Sequence, residues 1–292
     1  MNNTAWLVTN HYLHTDKFSE IADFIVKSAH RHGIEITHYT NAELLALISG
    51  NRLVKPLPLP DFVLFQDKDY CLARVLEQMG LRLYNSAEAM RICDDKALTH
   101  IELAKNKIPC PETICVPFTF ENIGYNRNDF LGIAAERLSL PFVIKESKGS
   151  FGEQVYLAGS VEQADEILRN INGKPAVLQK FIKSAEGSDI RINVVGGKAC
   201  ASMKRTNKTD FRANITIGGS AQSYTPTDEE EALAVKACRD LGVDFGGVDL
   251  LISDNGPLVC EVNSNAHFKS IFDCTGVNIA DKIFEYILDQ GN

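Results

Sequence analysis

The chain of 292 residues has 45% hydrophobic and 23% charged residues, the composition of an ordinary globular protein. No apolar run reaches the roughly 20 residues of a membrane-spanning helix, and the first residues lack the pattern of a signal peptide. The formal net charge of −8 argues against nucleic acid as the main partner. The eight cysteines are scattered without a CxxC pair, so we expect reduced thiols in a cytoplasmic protein and no zinc site.

Residues 1–94 alternate between strand-like and helix-like hydrophobic patterns. The predicted strands are Ala5–Thr9, Ile34–His38, Phe62–Phe65 and Leu81–Tyr84. The predicted helices are Phe18–His32, Asn41–Ile48 (with Asn41 as the cap) and Asp69–Met79. This alternation predicts an N-terminal α/β domain with a parallel sheet covered by helices.

Two further domains are predicted, over residues 95–184 and 185–292. In the first, the predicted helices are one that runs through Lys105, Asp129–Leu138 and Ser160–Ile171. Its predicted strands are Thr113–Val116, Phe142–Glu146, Val155–Ala158 and Ala176–Phe181. The second is richer in strands and has two predicted helices, Asp228–Leu241 and Asn278–Leu288.

A lysine stands at the end of a predicted strand, ahead of a glycine-containing loop. Lys145 is followed by Gly149 and Gly152, and glycines let backbone N–H groups approach phosphate oxygens closely. The spacing differs from the Walker A pattern. The alternative is a plain glycine and serine connection between two strands.

The segments Gly247–Ile252 and Leu258–Asn263 are apolar strands interrupted by polar residues. A three-residue loop, Asp254–Gly256, would place Asp249 opposite Glu261, on the same face as Asn263. Two carboxylates and a carboxamide would then suit Mg²⁺. A two-residue loop would instead turn Asp249 to the other face, and a half-exposed hairpin explains the alternation without any metal.

Polar residues also alternate along a third strand, and cations follow it. Asp189, Arg191 and Asn193 share one face, and an arginine there could bind a phosphate or carboxylate. The cationic stretch consists of Lys198, Lys204, Arg205, Lys208 and Arg212. We predict that part of it meets a substrate carboxylate beyond the one being activated or carried by any α-amino acid; the alternative is a solvated loop. Among the histidines, His267 is a better candidate for substrate contact than His11 or His14.

Taken together, these stretches resemble the ATP-grasp superfamily, specifically its RimK-like branch of amino-acid and peptide ligases. The resemblance runs in order from about Asp94 to the C-terminus, behind a fitting α/β lobe. It is carried by Asp95-Lys96, Pro141-Phe142-Val143-Ile144-Lys145 with Gly149 and Gly152, Gln179-Lys180-Phe181-Ile182, Gly187-Ser188-Asp189-Ile190-Arg191, Lys204-Arg205, Phe211-Arg212-Ala213-Asn214, Gly247-Val248-Asp249 and Glu261-Val262-Asn263.

The resemblance implies an α/β protein with the ATP-grasp fold, in which an N-terminal parallel α/β lobe precedes two α+β lobes that clasp ATP. It implies binding of ATP by Lys96, Lys145, Gly149, Ser150, Gly152, Gln179, Lys180, Phe181, Ile182, Asp189, Arg212 and Asn214. It implies Mg²⁺, or Mn²⁺, on Asp249, Glu261 and Asn263. It also implies that Arg191, Arg205 and Arg212 stabilise the acyl phosphate or the tetrahedral species that follows.

The implied activity is ATP-dependent joining of a carboxylate to an amine through an acyl phosphate, releasing ADP. The expected partners are an amino-acid donor, glutamate-like, and an amine-bearing acceptor that is a peptide, protein or small molecule; a homo-oligomer is compatible with this, and no nucleic acid or membrane is expected. The alternatives are a dipeptide or carrier-protein ligase similar to D-alanine–D-alanine ligase, and a non-catalytic ATP-binding regulatory module.

The sequence departs from ribosomal-protein glutamate ligases of this type in two places. Their metal motif continues with Ser-Pro-Gly, whereas this chain has Ser264-Asn265-Ala266-His267. The change falls where the acceptor or amino-acid pocket should be, so the glutamate donor and a ribosomal target stay open. They also usually carry an acidic residue in place of Lys180, a position expected to act through its backbone.

Overall fold

The computed structural model describes residues 3–13, 15–149 and 152–290. Its strands are β1 (Asn3–Thr9), β2 (Ile34–Thr40), β3 (Ala46–Leu47), β4 (Arg52–Leu53), β5 (Phe62–Gln66), β6 (Leu83–Tyr84), β7 (Thr113–Cys115), β8 (Phe142–Glu146), β9 (Val155–Ala158), β10 (Ala176–Lys180), β11 (Ser188–Val195), β12 (Lys198–Thr206), β13 (Ser220–Ser223), β14 (Phe245–Ser253) and β15 (Gly256–Asn263). Its α-helices are α1 (Asp16–Arg31), α2 (Tyr70–Gln78), α3 (Ala87–Asp94), α4 (Lys96–Lys105), α5 (Phe130–Leu138), α6 (Val161–Ile171), α7 (Asp228–Asp240), α8 (Lys269–Thr275) and α9 (Ile279–Gln290). Within the described ranges, no helix combines the length and the apolar character that crossing a membrane requires.

The first sheet has the order β2-β1-β5-β6, and every pairing in it is parallel. The predicted parallel sheet is therefore confirmed. Alternate residues of β1 pack on opposite faces, so Leu7 joins the core beneath α1 while Trp6 and Val8 join the core beneath α2. The carboxyl ends of β1 and β5 meet at one edge, where ligand-binding loops of open α/β sheets lie.

The predicted helix Asn41–Ile48 is wrong. The segment forms turns and then the short strand β3, which pairs with β4. Asn41 does not cap a helix, because its side chain accepts a hydrogen bond from the His11 N–H and donates one to Asp69. Leu44 is buried, whereas Leu45 and Ile48 are exposed, so a helix here would have had too little apolar surface to bury.

The second sheet has the order β7-β10-β8-β9 and is antiparallel. One face packs against α5 and α6 through Phe142 and Ile144 of β8. Since side chains alternate along a strand, Lys145 lies on the opposite face. That face looks into a cleft shared with the third sheet.

The third sheet has the order β13-β12-β11-β14-β15 and is antiparallel. One face packs against α7 through Ile190, Ile192 and Val248. The other face is apolar at one end, where Phe245 and Met203 pack against α8 and α9, and charged at the other end. The helices α3 and α8 were not predicted from the sequence.

The hydrophobic cores cross the predicted domain boundaries. Residues of α9, such as Phe284, share a core with β1 and α1 of the first section, and Leu103 of α4 belongs to the core of the third sheet. The buried Asn85, which follows β6, donates hydrogen bonds to the backbone oxygens of Phe245 and Ser264. The division into residues 1–94, 95–184 and 185–292 stays a prediction.

Candidate active site

Two aspartates and two arginines form a buried network on the charged face of the third sheet. Arg191 donates from Nε and Nη2 to the two carboxylate oxygens of Asp249, both at 2.6 Å. Arg205 forms the same fork with Asp189, also at 2.6 Å, and its Nη2 lies 3.0 Å from Asp249. The side chains are only 4–14% exposed, so these charges are held mainly by one another.

The electrostatics of this network follow from burial and pairing. Burial disfavours the charged form of Asp249, but Arg191 and Arg205 outweigh it and keep the pKa of that carboxyl below its ordinary value. Burial likewise opposes the charge on Arg205, and Asp249 and Asp189 overcome it and raise its pKa. In this state the arginines predicted to face the acyl phosphate are engaged by aspartates.

Asp249 does lie opposite Glu261, but the predicted reason is wrong. The hairpin loop has two residues, because Ser253 pairs with Gly256. A bulge at Cys260 then inserts one extra residue between the Leu250–Val259 pair and the Asp249–Glu261 pair. Consequently Val259 and Val262 both reach the core beside α7, and Glu261 shares the charged face with Asp249.

The oxygen ligands predicted for Mg²⁺ differ in how far they are already engaged. Glu261 is half-buried, and its side chain has no hydrogen bond or ion pair among residues 3–13, 15–149 and 152–290. Asn263 donates weakly from Nδ2 to the Gly247 carbonyl at 3.4 Å, which leaves its Oδ1 as an acceptor. Both carboxylate oxygens of Asp249 are bonded to arginine. To bind Mg²⁺, Asp249 would have to use its remaining lone pairs or release Arg191. The donor set suits Mg²⁺ in kind, with Glu261 and Asn263 as its open members.

Two lysine ammonium groups lie on the opposite wall of the cleft. Lys145 is buried, and its Nζ donates to the Cys260 thiol at 3.4 Å. The Lys96 N–H donates to the Ser147 carbonyl, and its Nζ donates to the Gly149 carbonyl at 3.3 Å. Burial lowers the pKa of Lys96, and the carboxylate of Glu261 opposes this. A thiol and a carbonyl compensate an ammonium poorly, so both lysines are suited to a phosphate.

Replacing Lys145 with methionine should lower kcat/KM for ATP. The expected decrease corresponds to a loss of about 2–4 kcal/mol of transition-state stabilisation, the scale of one charge-assisted contact in a dry site. The melting temperature without nucleotide should not fall, because the ammonium loses only a thiol partner and the methionine fills similar volume. Steady-state kinetics and thermal melting measure the two effects. Lys105→Met, at the exposed end of α4, is the matched control; a destabilised Lys145→Met protein with normal turnover would make Lys145 a structural residue.

The glycine loop is joined to the segment after β12. Arg212 Nη1 donates to the Gly152 carbonyl at 2.6 Å, while its Nε and Nη2 bind the Asp210 carboxylate. Gly152 has φ +77°, and a Cβ there would lie 2.8 Å from Asn214 Oδ1, so glycine is required for this approach. Ser150 lies outside the described residues. Arg212 thus holds one side of the loop that precedes β9, and Asn214 lies close against it.

The predicted adenine segment is fixed by a buried side chain. Gln179 donates from Nε2 to Thr113 and to Nε2 of His100. Burial, with the nearby Lys145 and Lys96, lowers the pKa of His100 to about 3, so the ring is neutral and can accept this bond. The backbone of residues 179–182 is thereby positioned. Sequence patterns gave no sign of His100, since it occupies an ordinary core position of α4.

The other two residues of this segment are closer to the surface. Lys180 is exposed, and its Nζ lies 3.2 Å from the carboxylate of Glu112. The Phe181 ring lies 6.3 Å from that of Phe211. Ile182 precedes a short turn. The roles of these residues toward a nucleotide stay predictions.

The predicted cationic stretch does not act as one free cluster. Lys204 pairs in register with Ile190 and therefore points to the α7 face, opposite to Arg205. Arg205 is neutralised by Asp189 and Asp249, and Arg212 by Asp210. Lys198 and Lys208 are exposed. The alternation of side chains along β12 separates cations that are adjacent in sequence.

Comparison with known proteins agrees with this geometry. A family model described as the RimK-like ATP-grasp domain matches residues 93–287. A probable alpha-L-glutamate ligase of Maridesulfovibrio salexigens is 36% identical over 219 residues, which are 74% of this chain and 70% of that protein. N-acetylaspartylglutamate synthase A of Homo sapiens is 34% identical over 226 residues, covering 76% of this chain but 56% of the synthase, so the chain spans little more than half of that relative.

The fold is shared with solved structures. The RimK domain protein ATP-grasp from Sphaerobacter thermophilus superposes with a TM-score of 0.73 at 20% identity, over 97% of this chain and 98% of that one. At such low identity the structural likeness shows the ATP-grasp fold alone. The match to the family model and the similarity to the curated relatives also identify the class of enzyme. The chain belongs to the RimK-like ATP-grasp family and is a ligase of the ADP-forming class.

Proposed function

We propose that the protein uses ATP and Mg²⁺ to activate a carboxylate as an acyl phosphate and joins it to the α-amino group of glutamate. The observation that carries the proposal is the pairing across one cleft of two poorly compensated lysines, Lys96 and Lys145, with the open oxygens of Glu261 and Asn263. Cations on one wall and hard oxygen ligands on the other suit a metal-bound triphosphate.

Each wall of the cleft has a distinct task. Lys96 and Lys145 would hold phosphate oxygens, and Glu261 and Asn263 would hold Mg²⁺ together with Asp249. When bound, Mg²⁺ and ATP supply the γ-phosphoryl group that turns a carboxylate into an acyl phosphate. The glycine loop, held by Arg212 at Gly152, would exclude water that would otherwise hydrolyse the acyl phosphate.

The arginine network is suited to the second half of the reaction. When the amine attacks, negative charge develops on the former carbonyl oxygen, and a positioned cation lowers that barrier. Arg191 is the arginine that can reach a substrate, since its side chain binds Asp249 alone among the described residues and is more exposed than Arg205. Arg205 is buried between two aspartates and would position Asp249 and Asp189.

The names of the relatives indicate which partner supplies the nitrogen. In a product called N-acetylaspartylglutamate, the aspartyl nitrogen is already acetylated, so glutamate contributes the amide nitrogen. We carry this direction over to the present chain: glutamate is the amine, and its partner is the carboxylate that becomes phosphorylated. Glutamate also satisfies the predicted extra carboxylate on a substrate.

The test is ADP release with L-glutamate and one carboxylate partner at a time: N-acetyl-L-aspartate, citrate, or a peptide ending in glutamate. Release should require both compounds, and hydroxylamine should trap the partner, not glutamate, as a hydroxamate. Mass spectrometry should find the amide product. The proposal would be contradicted by ADP release that does not depend on either substrate, or by release that requires two neutral amino acids. Binding of ATP without any turnover would favour a regulatory module.

A further inference from the structure

Unsatisfied polar atoms lie at the carboxyl end of the parallel sheet, beside the segment that follows the proposed metal ligands. Asp67 is only 6% exposed, and its Oδ2 has no hydrogen-bond partner among the residues that the structure describes. Within the described ranges, Nε2 of the neighbouring Gln66 and Oδ1 of Asn265 also have no hydrogen-bond partner. Buried polar atoms are usually paired, so three of them in adjoining residues point to a missing ligand.

The fold joins these residues to the active site. Asp67 directly follows β5, and its Oδ1 accepts hydrogen bonds from Asn10, which follows β1, and from the Lys68 N–H. Asn265 donates to the Asp67 carbonyl at 2.5 Å. It stands two residues after Asn263, in the segment that departs from the Ser-Pro-Gly pattern. The chain that holds the proposed metal ligands therefore continues onto this edge.

The carboxylate of Asp67 lacks the arginine partners that Asp189 and Asp249 have. Asp189 and Asp249 each have an arginine, whereas no cationic side chain hydrogen-bonds to Asp67 within the described ranges. Lys68 lies 2.5 Å from Asp94 instead. Burial raises the pKa of Asp67, and the bonds from Asn10 and Lys68 only partly oppose this. A ligand cation would remove this cost.

A cavity of about 320 Å³ is lined by Lys68, the residue that follows Asp67, and by Lys148, and its size suits the rest of such a ligand. Its acidic residues are engaged, since Asp94 pairs with Lys68 and Asp95 caps the first turn of α4. Lys148, beside the glycine loop, makes no ion pair within the described part of the chain. A ligand with an ammonium group at Asp67 and a side-chain carboxylate near Lys148 would be an acidic amino acid.

We infer that Asp67 and Asn265 bind the α-ammonium group of the amine-bearing substrate, an acidic α-amino acid such as glutamate. The inference rests on the proposed function for the identity of the substrate. Asp67 Oδ2 and Asn265 Oδ1 accept from the ammonium. This subsite places the attacking nitrogen at the N-terminal wall, while the lysines and metal ligands hold the carboxylate that is phosphorylated.

The test is calorimetric binding of L-glutamate and of N-acetyl-L-glutamate to the full chain with Mg²⁺ and a non-hydrolysable ATP analogue. The wild type should bind L-glutamate and discriminate against the acetylated compound, which carries no ammonium. Asp67→Asn should raise the Kd for L-glutamate at least about 30-fold, the scale of losing one buried charge partner. It should also abolish the discrimination, and Asn265→Ala should act in the same direction but less.

The matched control is Asp61→Asn, at the opposite end of β5, where the carboxylate accepts from Thr4. It should bind both compounds as the wild type does. The Asp67→Asn protein should melt no lower than the wild type, because asparagine keeps the Oδ1 acceptor and removes an uncompensated charge. A purely structural Asp67 would show the reverse, with a lower melting temperature and unchanged affinity.

The inference and the proposed function fail in different ways. Wild-type protein that binds both compounds equally, or binds neither, overturns the inference, as does Asp67→Asn with wild-type affinity. If the subsite behaves as expected but no carboxylate partner supports ADP release, the subsite stands and the proposed ligation fails. If ligation proceeds and Asp67→Asn leaves the KM for glutamate unchanged, the ligation stands and the subsite fails.

Discussion

Replacing Glu261 with glutamine should reduce ATP turnover at least about 100-fold, the scale of losing one electrostatic contact to the reacting phosphates. Glutamine keeps the size and one acceptor oxygen but removes the charge that Mg²⁺ requires. Folding should be unaffected, because the Glu261 side chain has no hydrogen bond or ion pair in the described part of the chain. ADP release measures the first effect and urea unfolding the second.

Binding of the metal itself provides a measurement that does not depend on turnover. Mn²⁺ bound with ADP can be followed by its electron paramagnetic resonance, and Glu261→Gln should weaken this binding. Asp254→Asn, in the two-residue loop of the same hairpin, should leave both metal binding and turnover unchanged. Normal turnover by Glu261→Gln would remove Glu261 from the metal site and with it the proposed two-walled cleft.

The sequence predicted the layout of the fold because most of its elements bury a regular apolar face. The strands Phe142–Glu146 and Val155–Ala158 are found with the bounds predicted. The helix prediction for Asn41–Ile48 was wrong because a short apolar run can match the periodicity of a helix or of a strand. In the structure the Asn41 side chain bonds to His11 and Asp69 instead of capping a helix. Helices α3 and α8 are short, with seven or eight residues, and their patterns are too brief to stand out.

The composition of the site was predictable, but the pairing within it was not. The alternation of Asp189 and Arg191 identified a polar face, yet the partner of each charge depends on which strands lie side by side in space. The hairpin shows the difficulty most clearly: loop length alone would have turned Asp249 away, and the bulge at Cys260 restored it. A bulge at a position such as Cys260 has no signature in a single sequence.

Asp249→Ala should differ from the Glu261 variant by destabilising the fold as well as inactivating the protein. Asp249 is the shared partner of two buried arginines, so its removal leaves Arg191 without a carboxylate and takes one contact from Arg205. Breaking a buried ion pair by removing one partner typically costs about 3–5 kcal/mol, because the remaining charge stays buried and unpaired. We expect a loss of that size in the free energy of unfolding.

Urea unfolding without ligands measures this loss, and three variants separate its causes. Asp249→Asn keeps an acceptor for Arg191 and should lose less stability than Asp249→Ala, while both should lack ATP turnover. Combining Asp249→Ala with Arg191→Met should recover part of the stability, since the methionine removes the unpaired charge but keeps much of the packing. If Asp249→Ala is as stable as the wild type, the bonds between the arginines and aspartates would not contribute to the stability of the fold. In that case Asp249, like Glu261, would be free to meet the metal without first breaking a bond that holds the sheet together.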